Sequence, residues 1–330
     1  MIDLHLHLDG SLAAEDVLRM AEMSGVGLLG TDPVSLRAVL TASEDCGSLL
    51  EYFDKFKLPL QVLQTRETIS YALERLLERL ESQGLCYAEI RFAPQLHMQR
   101  GLSQRQVVEA AAEAVLRYRK KGTLSANLIL CCMRGSDLEK ENRETIRLTG
   151  EYLGYGVAGA DLAGDEVNYK TEWFAPLFAA AAQEGIPFTI HAGEAAGADS
   201  VKAAVKMGAR RIGHGIRAAE DDSVIELLKE REIPLEMCYT SNLQTKAVLR
   251  PGQYPIRKFL DAGLKVTLNT DNMTVSDTNI KKEYQRIKAD FSLTAEELAA
   301  IVENSVNAAF LEPKEKERLH GLVKEKLVLI

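Results

Sequence analysis

"TEWFAPLFAAAAQEGIPFTIHA" (residues 171–192) holds one complete unit of this chain's organisation. Its first part carries apolar residues at helical spacing and runs out at Gly185. Its second part, "IPFTIHA" (186–192), is a short β-branched run that reads as a buried strand. The unit recurs. Strand-like segments stand at "IDLHLH" (2–7), "LCYAEIRFA" (85–93), "SANLILCCM" (125–133), "GVAGADLA" (156–163), "RRIGHG" (210–215), "IPLEMC" (233–238) and "LKVTLNT" (264–270). Between them, "TRETISYALERLLERLESQG" (65–84) has helical periodicity and a capping Gly84. "SQRQVVEAAAEAVLRYRKKG" (103–122) opens on a capping Ser103 and is expected to close the same way at Gly122. Strands alternating with helices imply a parallel sheet. Eight such units in a row predict an α/β fold, a (β/α)8 barrel of the TIM type, with an open doubly wound sheet as the alternative. The stretch from residue 8 to residue 84 must hold extra helices over one mouth of that barrel. No Pro/Gly/Ser-rich linker divides the chain, so residues 1–330 are expected to form a single domain.

Composition narrows the function. Apolar residues make up 46% and charged residues 27%, and a net charge of −8 argues against a nucleic-acid partner. The basic segment "EPKEKERLHGLVKEKL" (312–327) mixes Lys and Arg with Glu and reads as a solvated helix face. The cysteine count is odd, no Cys-x-x-Cys occurs, and Cys131 and Cys132 are adjacent, so free thiols in a reducing compartment are expected. The first residues lack the pattern of a signal peptide. No stretch approaches the roughly 18 apolar residues of a membrane span, so the expectation is a cytoplasmic protein without a membrane partner. "GVGLLG" (25–30) and "GYGVAG" (154–159) both fit G-x-G-x-x-G. Each follows a helix, and the second leads into a strand, the reverse of a dinucleotide site.

The chemistry is carried by the strand ends. In "MIDLHLHLDG" (1–10), His5 and His7 share one face of a strand while Leu4, Leu6 and Leu8 share the other. His191 ends strand five, His214 ends strand six, Asp271 follows strand eight and Glu194 lies three residues after His191. In a barrel these ends meet at one mouth. Any one of them can be a polar strand cap; six together are better explained by a site. His97 and His320 have no such placement and are expected to pack or face solvent. Imidazoles and carboxylate with room for water suit catalytic zinc, although iron, cobalt or manganese suit such a site too. A binuclear barrel hydrolase normally needs a bridging lysine or glutamate on a middle strand. "GADLAGDE" (159–166) has no lysine, so one metal per chain is expected.

"HLHLDGSL", "RFAPQLH", "LILCCMR", "DLAGDE", "HAGE", "RIGHG", "CYTSNLQT" and "LNTDN" follow one another along nearly the whole chain. In that order they resemble the adenosine deaminase family of metal-dependent amidohydrolases. The resemblance implies that His5, His7, His191 and Asp271 hold one Zn²⁺, with His7 also facing the substrate. It implies that His214 orients the attacking water and takes its proton, with Asp271 accepting a hydrogen bond from that oxygen. Glu194 would be protonated and would protonate purine N1 during addition at C6. The backbone N–H of Gly164 would contact N3, Asp9 the ribose 5′-hydroxyl and Asn272 purine N7. The implied reaction is hydrolytic deamination of adenosine and 2′-deoxyadenosine to inosine and 2′-deoxyinosine plus ammonia, with a small purine nucleoside as partner. The chemistry is coherent: breaking the ring's aromaticity needs a strong nucleophile and a proton on N1 at once. Cytidine-type zinc deaminases solve the same problem with H-x-E and P-C-x-x-C signatures, both missing here.

Rival readings stay open at this point: deamination of adenine or aminodeoxyfutalosine, or a non-catalytic nucleoside-binding barrel. Adenine deaminases of this kind tend to carry Glu where "HLDG" has Asp9, and a site for the phosphate of AMP is not evident. Two departures from the family pattern stand out. Asn272 occupies the place of a second aspartate. The first strand begins at Ile2 without the usual short lead, so the bottom of the barrel is expected to be less well plugged.

Overall fold

The computed structural model describes residues 1–28, 32–43, 46 and 49–327. Its strands are β1 (Ile2–His7), β2 (Tyr87–Phe92), β3 (Ser125–Met133), β4 (Val157–Ala163), β5 (Thr189–Ala192), β6 (Arg211–His214), β7 (Leu235–Met237) and β8 (Val266–Leu268). All pair in parallel, in the orders β1-β2-β3-β4 and β5-β6-β7-β8. The two sheets meet at both edges. Ala160 bridges to Phe188 ahead of β5, and Leu6 bridges to Asp271 beyond β8, where His7 N–H donates to Asp271 O at 2.7 Å. These bridges complete the ring of a (β/α)8 barrel. The β5 strand is shorter than the expected 186–192 because Pro187 has no N–H to donate, leaving one bridge on that side.

Alternation along the strands sorts the side chains into two environments. Outward positions such as Leu6, Ile90, Leu128, Ile190, Ile212 and Val266 are buried against the surrounding helices. Inward positions are polar: Glu89, Arg91, Asp161, Arg211 and Glu236 are all fully buried inside the barrel. Helices Ala14–Ser24, Pro33–Leu40, Leu49–Asp54 and Lys57–Val62 occupy the long excursion after β1. The next helix, Arg66–Ser82, is capped by Thr65, and Gly84 follows it at φ +83°. Helix Gln104–Lys121 is capped by Ser103, as expected. Its other end differs: Gly122 is extended at φ −97°, and it is glycine because the Tyr118 ring lies where a Cβ would stand.

At the bottom of the barrel, Ala308 and Phe310 pack against the buried Arg211. The Phe310 ring lies 3.7 Å from the Arg211 guanidinium, which donates to Ala308 O at 2.8 Å, and Phe310 N–H donates to Glu89 at 2.7 Å. Helix Pro313–Leu327 exposes Lys314, Glu315, Glu317, Arg318 and Lys324 but buries Leu319 and Val323 beside Ile2 and Leu4. "GYGVAG" follows helix Glu139–Tyr152 and runs into the first residues of β4, as its sequence context requires. "GVGLLG" follows helix Ala14–Ser24, and its Leu29 and Gly30 lie outside the described residues. Among the described residues, no helix is long and apolar enough to cross a membrane.

Candidate active site

The upper mouth gathers the residues that the sequence singled out. His5 Nε2 and His7 Nε2 lie 3.5 and 3.4 Å from Asp271 Oδ1, and His7 Nε2 is 3.2 Å from His191 Nε2. The His5 ring is 4.6 Å from that of His191 and 4.8 Å from that of His214. Strand alternation alone would turn His214 outward with Ile212. A left-handed backbone at His214, φ +61°, breaks the alternation, and Asp271 is left-handed too, at φ +59°. Such residues cost about 1–3 kcal/mol each and cluster where function demands them.

Charge and burial make this a candidate cation site. Burial pulls His5 down to about 4, with the Arg91 charge adding to the effect, and burial holds His7 well below its ordinary value. Both are therefore neutral and able to donate a lone pair. For His191, burial is outweighed by Asp161, which raises it. Burial pushes Asp271 upward, but the imidazoles of His5, His214 and His7 around it hold it well below the usual carboxylate range. Buried His5 Nε2 has no hydrogen bond of ordinary geometry, and two imidazole nitrogens at 3.2 Å need a proton or cation between them. On their far sides, His5 Nδ1 is 2.8 Å from Glu236 and His191 Nδ1 is 2.9 Å from Asp161, which aims both Nε2 atoms at the mouth. Neutral imidazoles with one carboxylate fit zinc. Ligand atoms of His5, Cys238 and Asp271 also lie within 4.8 Å of one another, as do those of His5, His191 and His214.

Beside this cluster stands an acid–base pair. Glu194 Oε2 is 3.5 Å from His214 Nε2, and Glu194 Oε1 lies 3.3 Å from Asn242 Nδ2 and accepts from Thr245 Oγ1 at 3.2 Å. Asn242 Nδ2 is also 3.0 Å from His214 Nδ1. Burial raises the Glu194 carboxyl against the pull of the His214 charge. The loop that carries Glu194 is held from below by Glu166. Its carboxylate accepts backbone N–H groups from Gly193, Glu194, Ala195 and Ala196 at 2.6–3.1 Å.

A cavity of about 340 Å³ opens onto both groups and is walled by Tyr52, Phe56, Leu96 and Met133. Asp9, Gly164 and Asn272 line it as well. Burial pushes Asp9 up to about 6, and among the described residues neither its Oδ1 nor Asn272 Oδ1 has a hydrogen-bond partner. Gly164 is at φ +100° with Arg134 N 3.3 Å from any Cβ. Gly10 has no room for a side chain because Asn272 packs against it. Tyr52, on helix Leu49–Asp54, bonds Ser276 at 2.8 Å, and Ser241 donates to Asp271 Oδ2 at 2.6 Å. His97 and His320 lie elsewhere, paired with Leu63 O at 2.9 Å and Glu303 at 3.0 Å.

Sequence reasoning missed Asp161, Glu236, Glu166, Cys238, Ser241, Asn242 and Thr245. The signal was present for most. Asp161 and Glu166 lie in "DLAGDE", four more lie in "CYTSNLQT", and Glu236 shares an inward strand face with other buried charges.

The family model described as adenosine deaminase matches residues 1–326. The adenosine deaminase of Haemophilus ducreyi is 47% identical over 330 residues, 99% of this chain and 96% of that protein. The one from Clostridium acetobutylicum is 38% identical, covering 94% of this chain and 92% of its own length. Among solved structures, an adenine deaminase from Arthrobacter aurescens superposes with a TM-score of 0.87 at 28% identity, covering 98% of each chain. An Arabidopsis N6-mAMP deaminase does so at 0.86 and 25% identity, over 98% of this chain and 97% of that one. With a full-length family match and relatives this close across the barrel and its mouth, the chain belongs to the adenosine deaminase family of hydrolases.

Proposed function

We propose that this protein hydrolytically deaminates adenosine and 2′-deoxyadenosine, releasing ammonia, with one zinc ion per chain held by His5, His7, His191 and Asp271. A zinc ion held there supplies a Lewis acid that makes water a nucleophile near neutral pH. The protein's own groups do the rest. His214 orients the attacking water and takes one of its protons, and Asp271 accepts a hydrogen bond from the same oxygen. As the C6–O bond forms, ring electrons move to N1, which takes the proton of Glu194. The proton on His214 passes to the exocyclic nitrogen, the C6–N bond breaks and ammonia leaves. The second water proton restores the acid.

The observation that carries this reading is the pairing of a raised Glu194 carboxyl with His214, 3.5 Å apart, beside the imidazole cluster in one cavity. Asp9, with an unpartnered oxygen in that cavity, favours a nucleoside, since a ribose hydroxyl can donate to it and free adenine offers none. His7 and the Gly164 N–H would face the substrate, the latter toward N3. Asn272 would face N7, a nitrogen that needs a donor; an amide donates at every pH, whereas an aspartate must first be protonated. The test is a panel of adenosine, 2′-deoxyadenosine, adenine, AMP and 7-deazaadenosine, followed by the ultraviolet change of purine deamination. The two nucleosides should react best. Losing the N7 contact should cost 7-deazaadenosine about 2- to 13-fold in kcat/KM. Turnover of adenine or AMP alone would overturn the assignment.

A further inference from the structure

Arg91, on β2 beside His7 of β1, is fully buried beneath the mouth, and its guanidinium reaches the carboxylates behind two other proposed ligands, His5 and His191. Its Nη1 donates at 3.0 Å to Asp161 Oδ2, the oxygen that faces His191 Nδ1 at 2.9 Å. Its Nη2 donates at 2.9 Å to Glu236 Oε2, the oxygen that faces His5 Nδ1 at 2.8 Å, and at 2.6 Å to Leu4 O, just before His5. We infer that Arg91 is a positioning residue for the metal centre, a single planar guanidinium that sets the His5 and His191 imidazoles relative to each other. This rests on the metal reading above.

The physical argument is one of rigidity. His5 and His191 come from β1 and β5, strands that are not neighbours in the ring, so no backbone hydrogen bond runs directly from one to the other. Each ring is oriented by a carboxylate, and each carboxylate would be free to swing if nothing held it. The guanidinium presents donors in a fixed fork, so gripping one oxygen of each carboxylate fixes the distance and angle between them. Turning either imidazole then strains both pairs. An ammonium group is a point charge without a fork and cannot impose that angle. Arg211 provides the internal control. It is equally buried and bonds Glu236, but through Oε1 at 2.6 Å, and it does not reach Asp161.

Arg91→Lys, Arg91→Gln and Arg211→Lys should each be stripped of metal and titrated with Zn²⁺ against a chelating dye, alongside the parent protein. The Co²⁺ absorption band of each protein reports ligand geometry. Outer partners of metal-binding histidines are typically worth about 10–100-fold in affinity. Arg91→Lys should therefore bind Zn²⁺ that much more weakly and show a shifted Co²⁺ band. Arg211→Lys should keep the parent's band and lose under tenfold. If Arg91→Lys does not fold, Arg91→Gln carries the same expectation; if neither folds, Arg91 holds the barrel and not the centre, and the inference is wrong. Parental affinity and band in a folded Arg91 variant overturn it, as does an equal loss in Arg211→Lys. A parent that binds no metal removes the metal reading itself, and this inference with it.

Discussion

The role proposed for Glu194 requires it to carry a proton at working pH, and its surroundings favour this. Burial disfavours the carboxylate and raises the group above its ordinary range, even with His214 beside it. Since the acid form is the working form, kcat should be full below the raised value and fall as pH climbs through it. Glu194→Gln retains the shape and a donor but has no proton to give. General acid catalysis is typically worth about 10²–10⁴-fold, so kcat should drop by at least that much while the protein keeps its metal, and the alkaline limb should vanish. A pH–rate profile of parent and variant checks both points. Near-parental turnover would remove Glu194 from the reaction, and loss of metal would make it a ligand. At this scale much was legible in the sequence: His5, His7, His191, His214, Glu194 and Asp271 all reach the mouth. What the residues alone could not convey is that His214 gets there through a left-handed backbone, because strand periodicity points it the other way.

Between elements, position is set by short connections and not by the strands alone. The turn after β4 and the loop after β5 are joined through Glu166, whose carboxylate takes four successive backbone N–H groups beneath the proposed acid. Replacing one oxygen with an NH2 group leaves buried donors facing a donor. Glu166→Gln should lower unfolding free energy by about 1–3 kcal/mol. It should reduce kcat more than it alters KM, because it misplaces Glu194 without touching the walls of the cavity. Urea unfolding and steady-state kinetics measure the two effects; parental values in both would mean that the loop holds itself. The start of helix Gln104–Lys121 followed from its capping Ser103. The extended Gly122 did not, since its reason is the Tyr118 ring beside it, a packing fact that local sequence rules do not contain.

Across the whole molecule, the barrel's period of strand and helix was readable, but its interior was not. Arg and Glu are ordinarily surface residues, so nothing in composition placed Arg91, Arg211, Glu89 and Glu236 together in a buried lattice from the bottom plug to the histidines. The same geometry would tie the proposed metal to stability as well as to chemistry. A ligand that binds only the folded state adds about 2.7 kcal/mol at a free concentration 100 times its Kd, so zinc should raise the melting temperature of the stripped protein. The most direct test is to titrate zinc into that stripped protein while following adenosine deamination. The rate should start near zero, rise in proportion to added zinc and level off at one equivalent per chain. Full activity in protein shown to be metal-free, or no activity at any zinc level, would contradict the account.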